Sequence, residues 1–302
     1  MTEALAEHRR ETIDKLEKTG ISVVSEKELP YGVQLRLKAS GRTCAINLYH
    51  SKKKGVSVVG SGGDSELLEQ VMALTGRPVY EGLKLTGTRI GTDEAGKGDY
   101  FGPLVAAGVC CDEALCRSLV KMGVADSKKL TDITIRNLFE EITVMDSLKY
   151  AVCSFSPAQY NSMFASFSKL GRNSLDMQAR AHGIVISELA EAGCSPDNIV
   201  IDKFCDLKRL KPWLPETNAS IHLEVRAEDS EPAVAAASVI ARGVYLSELE
   251  NLSARSGIAL FPGAGAKVDR AGVELVRKNG EAILFDMAKV HFANTRKITS
   301  GT

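Results

Sequence analysis

Residues 91–98 read Gly91-Thr-Asp-Glu-Ala-Gly-Lys-Gly98. Two adjacent carboxylates, Asp93 and Glu94, lie beside a glycine-rich turn that carries one lysine. Upstream, Thr88–Thr92 is short, β-branched and polar-alternating, and reads as a strand that delivers the acids at its end. Neighbouring side chains on a regular strand face opposite ways, so the pair is expected to share a site only where the strand breaks. Gly96 and Gly98 are expected to supply that break, because glycine enters positive-φ conformations without strain. Gly91 to Gly96-Lys97 also fits the first seven positions of a phosphate-binding P-loop, which would make the chain a nucleotide triphosphatase. The eighth position rejects it, since Gly98 stands where a Ser or Thr would hold magnesium.

The chain has 302 residues, 44% of them hydrophobic, enough for two domains with a substantial core. Lys and Arg number 38 and Asp and Glu 38, so net charge says nothing about nucleic acid until its distribution is known. Seven cysteines, none in C-x-x-C spacing, read as reduced thiols; Cys110 and Cys111 lie on an apolar run that suits a core. The five histidines lack ligand spacing, which argues against zinc. The amino terminus shows no apolar h-region and no run reaches 18 apolar residues, so a soluble, cytoplasmic protein away from membranes is expected; a monomer is a separate expectation.

Residues 3–19 have the spacing of a helix closed by Gly20, and 32–38, 43–49 and 55–59 read as an antiparallel meander. With a helix over 65–74, the order α-β-β-β-α is complete by residue 78. Residues 79–87 read as a linker and 88–302 as a second domain. There, 103–111 and 148–155 are apolar strands with a helix over 131–144 between them, and 175–192 is a further helix. Asn198-Ile-Val-Ile-Asp202 is a strand buried on both faces with an acid at its carboxyl end, where ligands of such sheets bind. A strand over 221–226 and a long alanine-rich helix over 232–252 follow, with Glu228 and Asp229 just before that helix.

Two features point to chemistry. Residues 29–63 hold Arg36, Lys38, Arg42, Lys52, Lys53 and Lys54 with no Asp or Glu, a basic sheet suited to a polyanion or, more plainly, a solvated edge. Asp93, Glu94, Asp202 and one acid at 228 or 229 come from three segments whose ends can converge. Four converging carboxylates repel unless cations join them, and Mg²⁺ or Mn²⁺ suits oxygen ligands. Two such ions about 3.5–4 Å apart catalyse in-line phosphoryl displacement, so phosphodiester hydrolysis is the implied reaction.

The run from Gly91 to Asp99-Tyr-Phe-Gly-Pro103 resembles the signature of the type 2 and type 3 ribonucleases H, and Asp99–Pro103 points to type 3. Asp126-Ser-Lys-Lys-Leu130, Ile201-Asp202, Ala235–Arg242 and His291-Phe-Ala-Asn-Thr295 extend the resemblance over most of 88–296. It implies an α/β fold, a ribonuclease H-like mixed sheet flanked by helices, with a small amino-terminal α+β domain resembling half of a TATA-binding protein. It further implies endonucleolytic cleavage of the RNA strand of RNA/DNA hybrids to 5′-phosphate and 3′-hydroxyl ends, with Asp93, Glu94 and Asp202 as metal-site acids. Counting back from Ala235 favours Glu228 as the fourth where many relatives carry aspartate, a change that could shift preference toward manganese; Asp229 is the alternative. Gly96-Lys97-Gly98 would read a 2′-hydroxyl through closely approached backbone, and Ser127 and Lys128 would contact phosphate or merely cap a helix. His291 acquires no role. A nucleic-acid binder without cleavage is the rival reading, and the intact acids argue against it.

Overall fold

A computed structural model of the chain describes residues 2–51, 55–75, 86–124 and 130–300. Lys52, Lys53, Lys54, Ser127 and Lys128, with residues 79–85 of the expected linker, lie outside the described residues. The chain divides into two units, Met1–Glu81 and Gly82–Thr302.

In the first unit, helix α1 (Glu3–Lys18) leads into strands β1 (Ser22–Leu29), β2 (Gly32–Ala39), β3 (Arg42–Ser51) and β4 (Gly55–Gly63), and helix α2 (Ser65–Thr75) closes it. The strands form one antiparallel sheet in chain order. Alternation decides which face is covered: Val33, Leu35 and Leu37 of β2 and Ile46 and Leu48 of β3 are buried against Leu5 and Leu16 of α1 and Leu67 and Val71 of α2. The sequence reading of three strands missed β1. Ser-Val-Val-Ser-Glu-Lys-Glu-Leu is nearly all exposed along this sheet edge, so it carries no buried alternation to read.

The second unit is built on β5 (Arg89–Ala95), β6 (Leu104–Cys111), β7 (Lys149–Phe155), β8 (Asn198–Asp202) and β9 (Ser220–Glu224), in the order β7-β6-β5-β8-β9. β7, β6 and β5 are antiparallel, whereas β8 and β9 join parallel to β5. The helices are α3 (Glu113–Lys121), α4 (Asp132–Thr143), α5 (Pro157–Lys169), α6 (Ser174–Glu191), α7 (Leu207–Leu210), α8 (Pro232–Ser256), α9 (Ala266–Asn279), α10 (Leu284–Met287) and α11 (Ala293–Ser300). α6 packs on β6 and β7, with Ala179, Ala181 and Val185 buried against Ile90, Ala106 and Ile201. α8 packs on β5 and β6. Its approach depends on Gly91, because a Cβ there would meet the backbone of Ala233 and Val234 at 2.3 Å. Among the described residues no helix is long and apolar enough to cross a membrane.

Candidate active site

The register of β5 against β8 brings the first two acids together. Thr92 pairs with Ile201, the last pair between these parallel strands, so Asp93 and Asp202 follow side by side at the carboxyl ends. Neighbouring strands lie about 4.8 Å apart, and residues in register share a face. Asp93 is 3% exposed. Burial raises its carboxyl well above the usual range, the charges of Glu94 and Asp202 push the same way, and hydrogen bonds from the Glu94 N–H and from Ser238 of α8 oppose them. A carboxylate so placed invites a cation.

β5 does not break at the acid pair. Asp93 and Glu94 stay in register with Ala107 and Ala106 of β6, and β5 runs on to Ala95. The expectation of a break is therefore corrected: period-two geometry sends Asp93 toward α8 and Glu94 toward α6, on opposite faces of β5 just past its last pair with β8. Thr92 and Glu94, two residues apart on one face, both reach His182 of α6. The His182 Nδ1 lies 2.8 Å from the Thr92 hydroxyl and Nε2 lies 3.0 Å from Glu94 Oε2. Lys97 Nζ donates to Glu94 Oε1 at 2.8 Å. Burial works to raise the Glu94 carboxyl, but His182 and then Lys97 outweigh it and bring it down to about 2. His182 is wholly buried and Phe204 stacks on its ring. Sequence reasoning passed over it, because its partner lies 88 residues away and only the fold joins them.

Glu228 stands in the 3-10 turn Ala227–Asp229 that precedes α8 and is 2% exposed. Asp202 Oδ1 accepts a hydrogen bond from the Ala227 N–H at 3.1 Å, tying this turn to the end of β8. Arg226 enters the turn with φ +59°, left-handed backbone uncommon outside glycine. Its guanidinium pairs with Asp229 at 2.7 Å, on a side chain that is 28% exposed. The two candidate fourth acids thus differ: Glu228 is buried and Asp229 is engaged toward the surface.

Gly96 takes φ +85°, and a Cβ there would meet the Pro103 carbonyl oxygen at 2.0 Å. Gly98 is different, with ordinary backbone and open space around its missing side chain. The P-loop alternative fails structurally, since Gly91–Ala95 are strand and form no phosphate-cradling loop.

The family model for ribonuclease HII matches residues 90–295. The chain belongs to the ribonuclease HII/HIII family. Ribonuclease HIII of Geobacillus sp. (strain WCH70) is 35% identical over 277 residues, 89% of each chain. Ribonuclease HIII of Geobacillus kaustophilus is 38% identical over 214 residues, covering 69% of this chain and 67% of its own. Among solved structures, Bst-RNase HIII in complex with Mn²⁺ superposes with a TM-score of 0.66 at 29% identity over 96% of both chains. The chain is thus a ribonuclease H, an endonuclease that cuts the RNA strand of RNA/DNA hybrids.

For a ribonuclease H the fit of a divalent cation can be tested on the donor set. Asp93, Glu94, Asp202 and Glu228 offer oxygen ligands alone, the preference of Mg²⁺ and Mn²⁺. The like-charge burden on Asp93 is what such an ion relieves. Among the described residues no group of three acids, histidines or cysteines is arranged as a metal cage, and both Glu94 oxygens are engaged by His182 and Lys97. The residues fit in chemistry, with Lys97 as the cation that Glu94 holds here.

The first unit presents a second candidate surface. Opposite the covered side of its sheet, Gln34 donates to Asn47 Oδ1 and Ser61 Oγ, both at 2.9 Å, and Asn47 Nδ2 lies 3.1 Å from the Tyr49 hydroxyl. Arg36 and Lys38 alternate with buried Leu35 and Leu37 and are exposed on that open face. Arg42 instead forms an ion pair with Glu66 of α2, while in β1 Glu26 and Glu28 lie opposite Leu35 and Val33 on the covered face and Lys27 lies opposite Gln34 on the open one. The open face thus keeps Arg36 and Lys38, gains Lys27, and does not have Arg42 free on it.

Proposed function

We propose that the chain hydrolyses the phosphodiester backbone of the RNA strand in RNA/DNA hybrids, leaving 5′-phosphate and 3′-hydroxyl ends, with Asp93, Glu94, Asp202 and Glu228 holding Mg²⁺ or Mn²⁺. The adjacency of Asp93 and Asp202 beyond the last paired register of β5 and β8 carries this reading. The bound ions supply activation of the attacking water and charge neutralisation at the leaving oxygen. The protein supplies the rest. His182 fixes the rotamer of Glu94 through one oxygen and is itself fixed by Thr92. Ser238 and the Ala227 N–H orient Asp93 and Asp202. Burial and the Arg226 pair favour Glu228 over Asp229 as the fourth ligand.

Gly96, Lys97 and Gly98 read the RNA strand. The bare backbone at Gly98 approaches a 2′-hydroxyl, the group that separates RNA from DNA. Lys97, paired with Glu94 here, would contact the adjacent substrate phosphate. Residues 1–78 hold the hybrid through Arg36, Lys38 and Arg42, joined by Lys52, Lys53 and Lys54, while 88–302 perform the chemistry, and Ser127 and Lys128 add phosphate contacts. The enzyme works as a monomer in the cytoplasm. Incubation of a labelled hybrid and of the same sequence as DNA duplex, with Mg²⁺, Mn²⁺ or chelator, tests the reading. Cutting is expected for the hybrid with cation alone; equal cutting of both duplexes would remove the role of Gly96–Gly98.

A further inference from the structure

Between the end of β5 and the start of β6 the chain makes an irregular turn, Gly96–Pro103, with no helix or strand of its own to fix its shape. Its second half is tethered by remote segments. Tyr100 N donates to Gly263 O at 2.9 Å, and Gly102 N donates to Met287 O at 3.1 Å. Phe101 forms an isolated bridge with Ala288, and the Lys289 N–H donates to Tyr100 O at 2.8 Å. The most unusual tether is a side chain. Lys289 is wholly buried, and its Nζ donates to Asp99 O at 2.9 Å and to Gly102 O at 2.7 Å, bracketing the turn from 190 and 187 residues away. Asn161 of α5 secures the lysine's own segment, donating to Phe285 O and Ala288 O at 2.9 and 2.8 Å and accepting from Val290 N at 3.1 Å.

Burying an amine costs free energy that an apolar side chain of the same length would not incur. A methionine here would fill the space and leave two carbonyls without donors. The amine is therefore explained by the two carbonyls it holds, and these belong to the turn whose first three residues are Gly96-Lys97-Gly98. Asp99 N in turn donates to Gly96 O at 3.3 Å, linking the tethered half to the tripeptide.

We propose that Lys289 is a positioning residue for substrate reading: by clasping the Asp99 and Gly102 carbonyls it holds Gly96-Lys97-Gly98 at the height where their backbone meets the RNA strand. The proposal rests on the assignment of that tripeptide to RNA reading. It also gives the segment ending in His291-Phe-Ala-Asn-Thr295 a task, since Thr295 hydrogen-bonds the Tyr100 hydroxyl at 3.1 Å in the same clasp.

The test compares full-length wild type with Lys289→Met by steady-state cleavage of a labelled hybrid and by amide hydrogen exchange in the absence of substrate. An interaction that serves binding raises KM and leaves kcat standing, so about a tenfold rise in hybrid KM with kcat within roughly twofold is expected. Exchange is expected to quicken at residues 96–102 and not in β5 or β8, and Mn²⁺ titration by calorimetry to be unchanged. If kcat falls with unchanged KM, or exchange quickens across the whole unit, Lys289 is a core residue and the proposal is overturned. Should Lys289→Met not fold, Asn161→Ala loosens the same segment without touching either carbonyl, and the same KM rise, smaller, is expected; its absence overturns the proposal. The exchange arm needs no activity, so an unchanged turn refutes the clasp even where hybrid cleavage stands, while a wild type that cuts DNA duplex equally refutes the reading of Gly96–Gly98 instead.

Discussion

Asp93 and Glu94 are chain neighbours in opposite circumstances, and each should respond differently to substitution. Asp93 is held above the usual carboxylate range by burial and by Glu94 and Asp202, so without cation the charge of Asp93 costs stability as pH rises through its raised pKa. Asp93→Asn removes that cost and a ligand together. It is expected to melt higher than wild type in chelator at pH 8 while losing hybrid cleavage by roughly 10²–10³-fold or more. Calorimetry and a cleavage assay read both; near wild-type turnover would sink the metal-ligand assignment. For the fourth acid, Glu228→Gln is expected to be far more damaging than Asp229→Asn, because Glu228 is buried and Asp229 serves Arg226. The reverse order of activities transfers the role to Asp229. Lys289 offers a pH signature away from the acids. Burial pushes its ammonium down to about 7 against the pull of Asp99, with the Tyr160 ring and His291 nearby. An unfolded lysine stays protonated to about 10.4, so between these values the unfolded chain binds more protons and stability rises with pH. Wild type is thus expected to gain on Lys289→Met from pH 7 to 10, at up to about 1.4 kcal/mol per pH unit. Parallel denaturation curves for the two proteins would contradict the buried amine. A neutral amine keeps two hydrogens, one for each carbonyl, so the clasp survives the titration.

Secondary structure was legible for the elements set deepest in the core, whereas α3, α5 and α9, which each bury one face, were not read from the sequence. Asn198–Asp202 and the alanine-rich helix announced themselves because both lie in the core, and Thr131 and Val144 bound α4 as its caps. β1 was not legible, since an exposed edge strand with charged residues has no period to detect. The acid pair was legible as chemistry and misread as geometry: a glycine-rich stretch suggested a break, whereas strand pairing with β6 persists to Ala95. His182 and Lys289 were hidden for another reason, because their partners are set by tertiary packing across 88 to 190 residues. Close packing also explains Gly91, which the sequence offered only as part of a motif. Gly91→Ala places a methyl 2.3 Å from the α8 backbone, which cannot yield as a side chain does. Overpacking of this kind costs typically about 1–3 kcal/mol, and chemical denaturation is expected to show a loss of at least that scale. An unchanged midpoint would mean that α8 can move off β5, and with it Ser238 and Asp93.

At the scale of the whole molecule, the proposed division of labour assigns binding to the first unit and cleavage to the second. Every candidate metal ligand lies in the second unit, and the open face of the first carries Arg36 and Lys38 beside a polar row of Gln34, Asn47 and Tyr49. Arg42 is already paired with Glu66, so its contribution to a polyanion should be the weakest of the three. Lysine and arginine contacts to phosphate release counterions, and each contact adds roughly −0.9 to the log–log salt slope of affinity on B-form duplex. Replacing Arg36 and Lys38 together by glutamine is therefore expected to weaken hybrid binding and flatten the slope by about 1.8, with kcat at saturating hybrid unchanged. Arg42→Gln should move the slope less than either single replacement. Fluorescence anisotropy across a salt series measures wild type and these four variants in full-length form. If the double variant binds with wild-type affinity and slope, the open face is a solubilising surface, and hybrid affinity must come from the catalytic unit alone.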